Sequence, residues 1–79
     1  MNWPNKISIP EPQMSYLGNK KYFELRKKIE VLEKWCLNNI SSQGVLWTYD
    51  VENLPGQDLW SFYFAHEEDA VLFRLTHGV

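Results

Sequence analysis

The residues best equipped for chemistry stand together at His66-Glu67-Glu68-Asp69, an imidazole followed by three carboxylates. Such a set could bind a metal ion or carry out general acid–base catalysis. The surrounding stretch FYFAHEEDAVLFRL, from Phe62 to Leu75, offers another explanation. Its aromatics alternate as in a strand that ends at Phe64, while Ala70 and Phe73 sit on a helical period. The cluster therefore falls where a strand becomes a helix. The first turn of a helix has free N–H groups and the positive end of the dipole, and carboxylates suit both. HEED also lacks the H-x-x-x-H spacing that puts two imidazoles on one helical face. His77 lies eleven residues after His66, roughly 16 Å away along a helix at 1.5 Å per residue. Glu67, Glu68 and Asp69 are read as a helix start, with no metal and no cofactor expected.

The other candidates are no stronger. Cys36 is the single cysteine, so it has no partner for an internal disulfide. It falls on an apolar helical stripe, where burial raises a thiol pKa and makes it inert. Asp50, Glu52 and Asp58 surround a turn, as solvated carboxylates commonly do, and a catalytic pair there needs a cleft. The four glycines are scattered and form no phosphate-binding loop. No catalytic residue is assigned, and an enzyme is not expected.

These residues must be positioned by a small body. Seventy-nine residues make one domain with a thin core, for which oligomerisation is a common remedy. Hydrophobic residues at 44% and aromatics at 15% argue against disorder. No run approaches the roughly 18 apolar residues of a membrane span, and MNWPNKISIPEP has no apolar signal core. A cytoplasmic setting is expected. The net charge of -2 hides a polarity. Residues 1–39 carry seven Lys or Arg against four acids, whereas residues 40–79 carry six acids against Arg74 alone.

Along the chain, residues 1–18 hold Pro4, Pro10 and Pro12, which forbid a helix. KISIP is either a short strand or part of an arm that packs Trp3, Met14, Tyr16 and Leu17 onto the body. Residues 19–79 form the domain proper. Asn19 is the expected N-cap of a long helix whose positions Tyr22, Leu25, Ile29, Leu32, Cys36 and Ile40 step by three or four. Phe23, Val31 and Trp35 widen that stripe. Glu24–Lys28 and Glu30–Lys34 are favourable i,i+4 pairs, whereas Lys20 and Lys21 oppose the helix dipole. Two strands follow, VLWTYDV and LWSFYFA, joined through Pro55-Gly56 as an antiparallel hairpin. Trp60, Phe62 and Phe64 share one face. A short helix from Glu67 to His77 closes at Gly78, with Ala70, Phe73 and His77 inward and Leu72 or Leu75 on its flank. The predicted fold is α+β in two layers. Both helices pack on the antiparallel hairpin, which gains a third strand if KISIP joins it.

The excess of aromatics points to binding. Trp and Tyr are favoured anchors in protein interfaces, and four tryptophans exceed what one small core is expected to need. The interface candidates are Trp3, Trp47, Tyr49 and Tyr63, with Lys20, Lys21, Lys27 and Lys28 steering encounter. The expected partner is another protein or a second copy, without membrane or metal. The alternative is a nucleic-acid-associated protein that uses Lys20, Lys21, Arg26, Lys27, Lys28 and Lys34. A sequence pI near 5.6 and the interspersed Glu24, Glu30 and Glu33 weigh against it.

The segment LWSFYFAHEEDAVLFRLTHG resembles short proteins of tailed bacteriophages, in which an aromatic strand runs through an acidic turn into a D-A-x-x-F-R-L helix. The matching residues are Trp60, Phe62, Phe64, Asp69, Ala70, Phe73, Arg74 and Leu75, and the likeness covers about a quarter of the chain. It implies a bacterial host cytoplasm and action by binding or inhibiting a host or phage protein. It implies no functional residue.

Overall fold

The computed structural model describes residues 3–12 and 18–79. The order is β1 (Asn5–Pro12), α1 (Asn19–Asn39), β2 (Trp47–Leu54), β3 (Gln57–Phe64) and α2 (Glu67–His77). The strands form one antiparallel sheet in the order β1-β3-β2. The fold is thus α+β, with a three-stranded sheet, a long helix and a short C-terminal helix. KISIP belongs to the sheet within β1, which settles the open choice between strand and arm for those residues. Met14, Tyr16 and Leu17, the other parts of the expected arm, lie outside the described residues.

The hairpin forms because its turn chemistry is right. Leu54 pairs with Gln57, leaving Pro55-Gly56 as a two-residue loop. Pro55 presets its own φ, and Gly56 takes φ 83°, which other residues rarely adopt. β3 is then central and needs a partner on each side. Prolines are tolerated in β1 because it is an edge strand, with one side free of ladder bonds.

Register decides the faces. Ile7, Phe62 and Tyr49 form one cross-strand row, and Ile9, Trp60 and Val51 the next. With Phe64 and Trp47, these residues make the face that the helices cover. Ile7, Ile9, Trp47, Trp60, Phe62 and Phe64 are all buried. From α1 come Leu25, Ile29, Leu32 and Cys36, and from α2 come Ala70 and Phe73. Phe73 is the hub. Its ring centroid lies 5.0 Å from Phe62, 5.2 Å from Phe64, 6.0 Å from Trp35 and 4.9 Å from His77. Through Trp35 and His77 the two helices touch side by side.

α1 differs in detail from its sequence reading. Its N-cap is Gly18 rather than Asn19, a shift within the usual uncertainty of helix ends. Lys28 forms an ion pair with Glu11 of β1 instead of pairing with Glu24, while Glu30 and Lys34 meet at 3.4 Å. α2 matches closely. Glu67, Glu68 and Asp69 fill its first turn, and Gly78 closes it at φ 68° with its N–H donating to the Arg74 carbonyl at 2.8 Å. Leu72 and Leu75, one or the other expected on the flank of the inner face, are both exposed.

Candidate interaction surface

The sheet separates the turn carboxylates. Asp58 lies on the covered face and is buried, whereas Asp50, opposite Ser61, lies on the other face and is exposed. One cleft cannot gather both. His66 is exposed at the start of α2, and His77 is wedged between Trp35 and Phe73 at its end. Among the described residues, no three His, Cys, Asp or Glu side chains could hold a metal ion together.

Cys36 is fully buried, and its thiol pKa is pushed up to about 12 by burial and then by the Asp69 and Glu33 carboxylates. A thiol so rarely ionised is a packing residue rather than a nucleophile. Burial also raises the Tyr49 pKa, as does the hydrogen bond its hydroxyl donates to Glu33. Burial lowers that of His77, whose Nε2 is enclosed without a hydrogen-bond partner.

The aromatic candidates fare differently from expectation. Trp47 is 0% exposed, and its indole N–H donates to the Ser41 carbonyl at 2.7 Å. It belongs to the core, not to the surface. The stacked series Trp47, Tyr49, Phe62 and Trp60, with neighbouring centroids about 6 Å apart, explains how so many rings fit. Trp60 is 4% exposed, while Trp3 and Trp35 are half-buried. The interior therefore holds more ring area than a two-stranded sheet could, and no tryptophan stands exposed. Tyr49 is half-buried on the covered face. Tyr63 is half-buried on the other face, with Lys6 Nζ 5.7 Å from its ring centroid.

The uncovered sheet face reads as a solvated surface. It presents Lys6, Ser8, Thr48, Asp50 and Glu52 around Tyr63 and Leu59, and Ser8 and Ser61 share a hydroxyl–hydroxyl hydrogen bond at 3.2 Å. Antiparallel sheets commonly keep one such face in water. On α1, Lys20, Lys21, Lys27 and Lys28 are exposed. Lys20 and Lys27 continue to Lys34 at seven-residue steps, so these three lie nearly on one line of the helix. Glu24 and Glu30 break up the charge around them.

What sequence reasoning missed is the outer side of α2. Val71 is 47% exposed, Leu72 49% and Leu75 78%. With Glu67 and Glu68 they line a shallow concavity. Their spacing of one and then three residues gathers them on one side of the helix, opposite Ala70, Phe73 and His77. α2 therefore carries two apolar stripes, of which the protein covers one. The signal lay in the sequence AVLFRL, where apolar residues continue past the inner face.

No protein-family model, curated protein or solved structure matches this chain. Among the described residues, no helix is long and apolar enough to cross a membrane.

Proposed function

We propose that this protein is a non-catalytic interaction module that acts by contact through the outer stripe of α2. The observation that carries this reading is the exposure of Val71, Leu72 and Leu75 on a helix whose opposite side is already packed. Apolar side chains grouped on one surface and rimmed by charge are how protein contacts are built. The resemblance to tailed-bacteriophage proteins suggests where this happens, in the cytoplasm of a bacterial host. The partner is then a host or phage protein, or a second copy of the chain. Inhibition by occlusion would need nothing more than such a contact.

The test pairs the wild-type protein with Leu75→Glu as immobilised baits in a bacterial extract. The account expects a partner retained by the wild type and lost with the variant. Equal retention on both baits would remove α2 from the contact. The line of Lys20, Lys27 and Lys34 favours a second reading, binding to a nucleic-acid backbone. That reading expects oligonucleotide affinity that falls steeply with salt and with Lys27→Glu.

A further inference from the structure

We infer that the outer stripe of α2 receives a second copy of the same stripe, antiparallel, across a two-fold axis near Val71. This rests on the reading of that stripe as the contact surface, and it names the partner.

An edge strand is a ready template for pairing with another chain, and both edges of this sheet discourage it. β1 is an edge strand with Pro10 and Pro12, which have no N–H to donate. On β2, the outward N–H of Val51 is taken by the Asp50 carboxylate at 2.8 Å. Prolines and charged groups on an edge oppose pairing with another strand. The uncovered sheet face is mostly polar. The outer stripe of α2 remains as the grouped apolar surface.

Charge selects the occupant. Glu67 and Arg74 are seven residues apart, so they lie along the same flank of α2, the one beside the groove between α2 and the start of β1, where Arg74 Nε also donates to the Val79 carbonyl at 3.3 Å. Glu67 is at the N-terminal end and Arg74 near the C-terminal end. In an antiparallel two-fold pair, like flanks meet and run in opposite directions. Glu67 of each copy then faces Arg74 of the other, and both ion pairs form at once. The helix dipoles also oppose favourably. Val71 and Leu72 meet their symmetry mates between the two pairs, and Leu75 lies just beyond each pair, over the first turn of the other copy. A parallel arrangement would set Glu67 against Glu67 and Arg74 against Arg74.

A helix of 11 residues is roughly 16 Å long. The contact is thus smaller than a standard interface, and the dimer is weak, with a dissociation constant on the order of 10 μM or above.

Sedimentation equilibrium over a wide concentration range tests this, with far-UV circular dichroism to confirm folding. The wild type should show a reversible monomer–dimer equilibrium. Leu75→Glu should be folded and monomeric. Arg74→Glu should weaken association about tenfold, and combining it with Glu67→Arg should restore it, because the swapped pairs re-form. A wild type that stays monomeric at millimolar protein overturns the second-copy assignment, yet leaves the stripe free for a foreign partner. A dimer that survives Leu75→Glu overturns the stripe itself. A double variant no tighter than Arg74→Glu overturns the antiparallel pairing.

Discussion

The two helices lie side by side on one sheet, yet they spend their residues differently. α1 has one buried stripe of Leu25, Ile29, Leu32 and Cys36, and its outward line of Lys20, Lys27 and Lys34 suits water. Phe23, edge-on against Tyr22, and then Val31 and Leu37 interrupt that side, spread over about four turns of the helix. α2 is half as long, yet it has an inner stripe of Ala70 and Phe73 and an outer one of Val71, Leu72 and Leu75. Folding explains every apolar position on the inner side and none on the outer. A solvent-facing helix surface tolerates scattered apolar residues, but a second stripe at helical spacing signals an unfilled contact.

The sharpest way to break this contrast is to cut each side of α2 separately. Phe73→Ala should cost roughly 3–5 kcal/mol in chemical denaturation, because it removes the ring that joins Phe62, Phe64, Trp35 and His77. A cost under about 1 kcal/mol would mean that the inner stripe is not core. Phe62→Ala, on the sheet side of the same contact, should behave alike.

Acid provides a gentler probe of the same side. Burial lowers the His77 pKa below its ordinary 6.5, so the fold favours the neutral ring. Stability from this source is fully present above about pH 6.5 and is lost as pH falls through the lowered folded value. Melting temperatures should therefore drop between neutral and mildly acid pH, and His77→Phe should flatten that drop. An identical slope in the variant would place the acid sensitivity elsewhere.

Next comes Asp69→Ala, with an expected cost of about 1 kcal/mol or less for a carboxylate at the helix start. Loss of a biochemical activity at unchanged melting temperature would turn the HEED corner back into a chemical site. Smallest of all, Leu72→Ser and Leu75→Ser should each change the stability of dilute protein by no more than about 0.5 kcal/mol, as surface substitutions do. A larger loss would show that the outer stripe supports the monomer.

Much of this frame could be read from residue order because the signals were local. Pro55-Gly56 dictated the hairpin, Gly78 the end of α2, and the three- and four-residue steps of α1 its buried side. The alternation of Trp60, Phe62 and Phe64 named the core face of β3. Pairing between distant segments was not legible. The prolines of β1 favoured extended chain and left strand or arm open, and an edge position beside β3 is what accommodates them in a strand. Trp47 is buried for a similarly non-local reason: its ring stacks on Tyr49 and Phe62, and its indole is held by the Ser41 carbonyl of the loop before β2. It joins the same core cluster as Leu25, Ile29, Leu32 and Cys36 of α1 and Phe73 of α2. The outer stripe of α2 escaped because Leu72 or Leu75 is expected only on the flank of the inner face, whereas both are exposed on the opposite side with Val71. Side-chain spacing shows that a helix has two apolar sides, but not how many neighbours will arrive.

The most direct measurement is a series of amide nitrogen–proton correlation spectra from dilute to concentrated protein. The account predicts concentration-dependent shifts centred on Val71, Leu72 and Leu75, with Glu67 and Arg74 following and the uncovered sheet face unmoved. Shifts centred instead on Lys6, Tyr63 and Thr48, or none at any concentration, would contradict it.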